Sequence, residues 1–128
     1  MPTTPQDAKG LLLSSIFDKN PVIFIEHRWL HNLSGKVPKE YYSIPIGKSK
    51  NLTLGNDLTI VSMSYMTIEA LRAIKILKIL GIKCQLIDLR SISPVDYKSI
   101  YKSVKKTGRI IVLDTGNANV SIASEIVA

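Results

Sequence analysis

The sequence is poor in the residues that cross-link or anchor a chain, with one cysteine, one tryptophan and two phenylalanines among 128 residues. Because Cys84 is alone, neither an internal disulfide nor a cysteine-rich zinc site can form. No apolar run reaches the roughly 18 residues that span a bilayer, and residues 1–5 do not form a basic leader. These absences predict a cytoplasmic protein with no membrane partner.

Acidic residues are also scarce, since 10 of them stand against 17 lysines and arginines, for a formal net charge of +7. Many basic residues fall at helical spacing within residues 72–78 and 98–109, which predicts the solvated outer faces of two helices. A nucleic-acid surface is the alternative, but no RNP-type aromatic motif, zinc finger or arginine-rich arm accompanies these stretches. The sequence therefore predicts no nucleic-acid partner.

Short catalytic motifs are missing as well. Gly47-Lys48-Ser49 imitates the end of a phosphate-binding loop, but Tyr42 stands where that loop needs its first glycine. Neither the Gly-x-Gly-x-x-Gly dinucleotide fingerprint nor the Gly-x-Ser-x-Gly hydrolase elbow is present. We therefore assign no catalytic and no cofactor-binding residue.

Two histidines and the cysteine are the reactive side chains that remain. His27 and His31 lie four residues apart, so a helix could present both to one metal ion, but Trp29 and its neighbours between them favour a packed, partly buried turn. Cys84 lies in an apolar stretch without a neighbouring base, which is typical of an inert core thiol.

The first helix carries clear start and stop signals. Thr4 and Pro5 predict a capped start, the helix continues over residues 8–17, and the sequence DKNP at residues 18–21 ends it. At such an end the last carbonyls lack partners, so together with Asp18 and Asn20 they could coordinate a hard cation through oxygen. Both side chains are also ordinary turn residues.

Further along, apolar runs alternate with amphipathic stretches. Strands are predicted over residues 22–25, 48–54, 58–63, 84–89 and 109–113. Helices are predicted over residues 64–80, over residues 93–106 with Ser93 as cap, and from Ser121 onward. In the first of these helices an apolar side is formed by Ile68, Leu71, Ile74, Leu77 and Leu80. Alternation at this spacing predicts an α/β fold with a largely parallel sheet.

Several segments resemble a known family in order and spacing. They are residues 1–12 (MPTTPQDAKGLL), 18–24 (DKNPVIF), 42–48 (YSIPIGK), 87–96 (IDLRSISPVD) and 103–109 (SVKKTGR). Together they are similar to the β subunits of thiamine-diphosphate-dependent 2-oxo acid dehydrogenases of the pyruvate and branched-chain type. Residues 117–126 depart from the family's pattern, which often has a Gly-rich turn there.

The resemblance implies a domain organisation. Residues 1–26 would be the end of a transketolase-type pyrimidine-binding domain, 27–47 a connector, and 48–128 an incomplete αβα domain of the transketolase C-terminal type. The chain would then be an internal fragment, inactive when isolated, that scaffolds and pairs subunits.

The resemblance also implies a reaction and a set of partners. The complete enzyme would decarboxylate a 2-oxo acid on thiamine diphosphate with magnesium, held mostly by residues outside this chain, and pass the acyl group to a lipoyl group. Its partners would be an α subunit, a second β subunit and a lipoyl-bearing acyltransferase. The family's monovalent-cation site, with potassium as the candidate ion, carries over to Ser15, Ile16, Asp18 and Asn20.

Two other hypotheses about the function stay open. Transketolase and deoxyxylulose-phosphate synthase share the same two domain types, although the segments DKNP and VKKTGR favour the dehydrogenases. A chain without cofactor ligands can also act as a non-catalytic interaction module.

Overall fold

The computed structural model describes all 128 residues and shows four strands and four α-helices. In chain order the elements are α1 (Pro5–Ile16), β1 (Lys50–Thr53), β2 (Leu58–Ser62), α2 (Tyr65–Ile79), β3 (Cys84–Asp88), α3 (Tyr97–Thr107), β4 (Ile110–Val112) and α4 (Ile122–Val127). Between α1 and β1 the only regular element is a 3-10 turn, Arg28–Leu30. The predicted α/β class is confirmed. None of the helices is both long and apolar enough to traverse a bilayer.

The start of α1 follows the sequence signals. Thr4 is the N-cap, its hydroxyl accepts a hydrogen bond from the Asp7 amide at 3.1 Å, and proline occupies the first turn. Further along the helix, Gly10 lies against Ile44, since a Cβ at Gly10 would stand 2.6 Å from Ile44 Cγ1. The absent side chain therefore lets α1 pack closely on the segment that leads to β1.

The sheet has the order β1-β3-β2-β4. β2 pairs in parallel with β3 and with β4, and β1 pairs antiparallel with β3. The expectation of a largely parallel sheet holds for the two pairings that β2 makes, whereas the edge strand β1 runs antiparallel to β3. A single antiparallel edge strand is common on parallel sheets of this kind.

Two apolar clusters cover the two faces of the sheet. On one face Ile60, Cys84 and Leu86 pack with Ala70 and Ile74 of α2. On the other face the core residues are Val61, Met63, Ile87, Leu89 and Ile100, and residues of α3 and α4 pack around them. Alternate residues of β2 and β3 thus point to opposite faces, which makes a three-layer arrangement with α2 alone on one side.

The strand predicted over residues 22–25 is wrong for this chain. The segment forms no strand, and Ile23 is 87% exposed. A short apolar run becomes a strand only where a neighbouring strand supplies hydrogen bonds, and no strand of this sheet lies beside it. Val22, Ile23 and Ile25 therefore stay exposed, and only Phe24 is half-buried.

Two details of the later helices also differ from the prediction. The N-cap of α3 is Asp96 instead of Ser93, because the Asp96 carboxylate accepts a hydrogen bond from the Ser99 amide at 3.2 Å. In α2 the buried line runs through Ala70 and Ile74, while Leu80 is the C-cap residue and 69% exposed. Leu80 lies beyond the last turn that packs on the sheet, so helical periodicity alone misplaced it.

Candidate functional site: a buried polar junction at the carboxyl end of the sheet

The carboxyl ends of β2 and β3 lie side by side, with Ser62 aligned to Asp88. The helices that follow these strands, α2 and α3, pack on opposite faces of the sheet. This is the position where open α/β sheets form the crevice that usually carries function. Here the crevice is closed by residues near the start of the chain.

The strongest link across the crevice is an ion pair. Arg90, two residues beyond β3, donates from Nη2 to Asp7 Oδ1 of α1 at 2.5 Å. The second Asp7 carboxylate oxygen accepts a hydrogen bond from the Thr4 hydroxyl at 2.6 Å. The Asp7 side chain is fully buried, and a buried carboxylate needs such partners to stay charged. The pair therefore holds α1 on the end of the sheet.

A hydroxyl-rich group lies beside this ion pair. The Thr3 hydroxyl donates to the Ser64 carbonyl at 3.4 Å, Ser62 and Thr67 hydroxyls lie 2.9 Å apart, and Thr67 Oγ1 makes a long contact of 3.5 Å with Asp88 Oδ1. All five side chains are buried. The end of the sheet is therefore a polar environment closed to solvent.

Asp88 is the titratable centre of the junction. Burial raises its pKa to about 6 and the nearby Asp7 carboxylate pushes the pKa the same way, while the Thr3 hydroxyl and Arg90 lower it. The physical cause is that a charged carboxylate is poorly solvated at a site without solvent contact.

Strain and unpaired polar atoms coincide at this junction. Ser64 and Arg90 have φ values of 49° and 60°, the only positive values among non-glycine residues of the chain. The buried side-chain atoms without a hydrogen-bond partner are Ser64 Oγ, Asp88 Oδ2 and Arg90 Nε. Backbone strain and orphaned polar groups typically mark sites where geometry is kept for a purpose. We therefore treat the junction as the candidate functional site.

The predicted cation residues lie together at the end of α1. Because the helix ends at Ile16, no following turn donates to the carbonyls of Ser15 and Ile16. Asp18 Oδ1 accepts from the Asn20 amide N–H at 2.8 Å and from Asn20 Nδ2 at 3.1 Å, which leaves the other Asp18 oxygen and the Asn20 amide oxygen available. Ser15, Asp18 and Asn20 line a cavity of about 470 Å³, whereas Ile16 does not. The donor set is made of oxygen, as a hard cation requires.

The histidines that were candidates for a metal pair have separate partners. His27 Nδ1 accepts from the Trp29 amide at 3.3 Å, and its ring stacks on Tyr65 at 4.8 Å. His31 Nε2 lies 3.4 Å from Glu26 Oε2. The turn is less buried than expected, since Trp29 is 68% exposed. Cys84 is in the core, where burial raises the pKa of its thiol and the Asp57 carboxylate adds to the effect.

The residues present do not fit thiamine diphosphate with magnesium. No three side chains among histidine, cysteine, aspartate and glutamate approach closely enough to hold one ion. The 470 Å³ cavity has apolar residues as half of its lining and a single carboxylate, Asp18. A magnesium diphosphate needs several oxygen ligands in octahedral geometry, which this cavity does not offer.

Sequence reasoning did not find the junction. Asp7 and Arg90 each lie in a segment that resembles the family, residues 1–12 and 87–96, and their pairing across the chain has no local signal. The available signal was positional: Ser64 and Arg90 directly follow two predicted parallel strands, and polar residues there meet at one edge of the sheet.

Comparisons with known proteins agree on one group. A family profile described as "Transketolase, C-terminal domain" matches residues 47–128. Over 128 residues the chain is 42% identical to the acetoin:2,6-dichlorophenolindophenol oxidoreductase subunit beta of Bacillus subtilis, covering 100% of this chain and 37% of that protein. It is 43% identical over 129 residues to the pyruvate dehydrogenase E1 component subunit beta of Bacillus subtilis, covering 100% of this chain and 40% of that protein.

A solved structure described as "Split gene transketolase, inactive beta4 tetramer" superposes with a TM-score of 0.63 at 28% identity, covering 66% of this chain and 28% of that one. The chain thus spans less than half the length of the relatives it matches.

Proposed function

The chain belongs to the family of proteins with a transketolase C-terminal domain, and on that premise we propose that it forms part of the β subunit of a thiamine-diphosphate-dependent dehydrogenase. The observation that carries the proposal is identity of about 42% along the whole chain with such β subunits. In the complete enzyme, thiamine diphosphate with magnesium would supply the decarboxylation of a 2-oxo acid, and the acyl group would pass to the lipoyl group of an acyltransferase.

The role of these 128 residues is to scaffold and pair subunits. Residues 1–26 complete a pyrimidine-binding domain, 27–47 connect, and 48–128 begin the C-terminal domain; the Asp7–Arg90 pair ties the first part to the third. The partners are an α subunit and a second β subunit, in a cytoplasmic assembly. Support comes from the closed polar junction, which offers a substrate no access but sets the position of α1 firmly.

Acetoin is a second candidate substrate besides pyruvate or a branched-chain 2-oxo acid. The β subunits named for acetoin and for pyruvate are 42% and 43% identical to the chain, so identity does not separate them. Substrate choice would then be made by residues that the other part of the subunit or the α subunit supplies.

A chimeric enzyme tests the proposal. The matching segment of the Bacillus subtilis pyruvate dehydrogenase β subunit would be replaced by this chain and co-expressed with its α subunit. We expect an α/β assembly on size-exclusion chromatography with pyruvate-dependent reduction of dichlorophenolindophenol; a parallel chimera in the acetoin enzyme compares the substrates. Folded chimeric β subunits that fail to pair with their α subunits would contradict the proposal. Calorimetric titration of the isolated chain with thiamine diphosphate and magnesium should show no binding.

Potassium at the end of α1 is part of the same proposal. Support comes from the oxygen donors of Ser15, Ile16, Asp18 and Asn20 around one helix end. Thermal unfolding at equal ionic strength should give a higher midpoint in potassium chloride than in lithium chloride, and Asp18→Ala should remove the difference. Asp114→Ala is the matched control, because Asp114 also accepts a bond from the amide two residues on. Equal midpoints in both salts would count against the site.

A further inference from the structure

The outer face of α2 carries an unusual set of exposed aliphatic side chains. Ile76, Ile79 and Leu80 are 63%, 85% and 69% exposed, within little more than one helical turn. They lie opposite Ala70 and Ile74, which are buried against the sheet. Single exposed aliphatic residues are common, but a cluster of three on one helix end is typical of a surface that another molecule covers.

A row of basic residues at three-residue spacing borders this cluster on one side, and we call the cluster and this row together the α2 patch. Arg72, Lys75 and Lys78 are exposed on the same helix, and the helix contains a single acid, Glu69. Arg72 already binds that acid, with Nη1 2.6 Å from Glu69 Oε1. The α2 patch therefore has an apolar centre and a positively charged rim along one side, as in protein interfaces that combine an apolar core with a polar rim.

We infer that the α2 patch docks an amphipathic helix of a partner protein whose own rim is acidic. Charge complementarity selects this occupant, because a partner with acidic residues around an apolar stripe would meet both the lysines and the isoleucines. A second copy would place lysines against lysines, and each chain already carries a net charge of +7. Nucleic acid would contact the basic residues but would leave the apolar centre uncovered. A membrane-surface helix needs an apolar stripe along its length, whereas the upstream outer face holds Glu69 and Arg72.

The test uses two synthetic helical peptides with the same leucine spacing, one flanked by glutamates and the other by lysines. Each is titrated into the ¹⁵N-labelled full chain, and amide chemical shifts are followed by NMR. We expect the glutamate peptide to shift the amides of residues 72–80 and leave α3 unchanged, and the lysine peptide to cause no shifts. Equal binding of both peptides, shifts concentrated on α3, or no binding at all would overturn the inference.

Matched variants test whether peptide binding depends on the apolar centre of the α2 patch or on exposed apolar side chains in general. Replacing Ile76, Ile79 and Leu80 by serine should weaken glutamate-peptide binding by about tenfold or more. The control replaces Leu54 and Val120, which are 80% and 85% exposed elsewhere on the surface, and should bind as the unaltered chain does. If the triple variant does not fold, the location of the amide chemical-shift changes in the unaltered chain is the test. Equal losses in both variants would overturn the inference.

A second pair of variants separates the basic rim from net charge. Lys75→Gln with Lys78→Gln should weaken binding and reduce its salt dependence, whereas Lys98→Gln with Lys102→Gln on α3 removes the same charge and should have little effect. Equal effects would mean that net charge alone attracts the peptide. Sedimentation of the chain over a concentration series, and of the chain with phosphatidylcholine–phosphatidylserine vesicles, tests the rival occupants. Self-association or vesicle binding that the triple serine variant abolishes would overturn the inference.

Discussion

Arg90 binds Asp7 across 83 positions of the chain, with the two side chains almost entirely withdrawn from solvent and a donor–acceptor distance of 2.5 Å. The pair joins the first helix to the end of the sheet, at a residue whose backbone has a positive φ of 60°. Removing one member leaves the other charge buried without a counterion, which is far more costly than breaking an exposed pair.

Neutralising Asp7 should destabilise the fold strongly. For Asp7→Asn we expect a fall in the free energy of unfolding of about 3 kcal/mol, measured by urea denaturation followed by circular dichroism. Glu69→Gln, which breaks the exposed pair with Arg72, is the control and should cost less than about 1 kcal/mol. Similar small losses in both variants would show that the junction does not hold α1.

Replacing Asp88 by a neutral residue should, in contrast, raise the free energy of unfolding. Because its pKa of about 6 lies above the ordinary value, the charged form destabilises the fold above pH 6, and stability rises as pH falls from about 6 towards 4. Asp88→Asn should therefore increase the free energy of unfolding by on the order of 2 kcal/mol at pH 8 and change it little at pH 4. Urea denaturation across this pH range checks it, with Asp114→Asn as the control. A pH-independent effect would refute the prediction.

The contribution of Asp96 to stability should depend on pH in the opposite direction to that of Asp88. Burial alone would raise its pKa, but hydrogen bonds from Ser49 and Ser99 outweigh burial and the pKa is lowered. Its contribution is therefore present above the ordinary aspartate range and is lost as pH falls below it. Asp96→Ala should cost about 2 kcal/mol, since it removes both the α3 cap and the link to Ser49. Hydrogen exchange should accelerate at the Ser49 and Ser99 amides; unchanged exchange at Ser49 would argue against the link.

Gly10 tests the close packing of α1. Alanine normally stabilises a helix relative to glycine by about 1 kcal/mol, but here its Cβ would lie 2.6 Å from Ile44 and 2.8 Å from Tyr42. We expect the clash to win, so Gly10→Ala should lower the thermal midpoint, with a cost of about 1–2 kcal/mol. Adding Ile44→Ala should recover part of the loss. A higher midpoint in the single variant would show that α1 does not pack this tightly.

Most elements were predictable because their signals are local. The Thr4 cap, the periodicity of α2 and the apolar runs of β2 and β3 lie within a few residues of the structure that they specify. The prediction was wrong at residues 22–25, because a strand depends on a neighbour that the sequence window does not contain. Similarly, Ser93-Pro94 carried a local capping signal, but the Asp96 carboxylate had better-placed donors in Ser49 and Ser99.

The two proposed binding surfaces, at the end of α1 and on α2, differ in how far the sequence predicts them. At the end of α1, Asp18 and Asn20 could be named from the local sequence because they directly follow the helix, whereas Ser15 and Ile16 were named only through the family resemblance; cation binding there stays a prediction. The exposed aliphatic residues of α2 could not be named from the sequence, since Ile76 and Ile74 are the same residue type and only packing against the sheet decides which one is buried.

By itself the sequence determined the α/β class, the positions of most helices and strands, and membership of a family. Caps, periodicity and similarity along the chain can all be recognised from the order of the residues. Only the tertiary structure decided that Asp7 meets Arg90, that Asp88 loses its solvent, and that α2 turns an apolar patch outward. The physical reason is that pairing, desolvation and exposure depend on distances between residues far apart in the chain, and folding alone sets those distances.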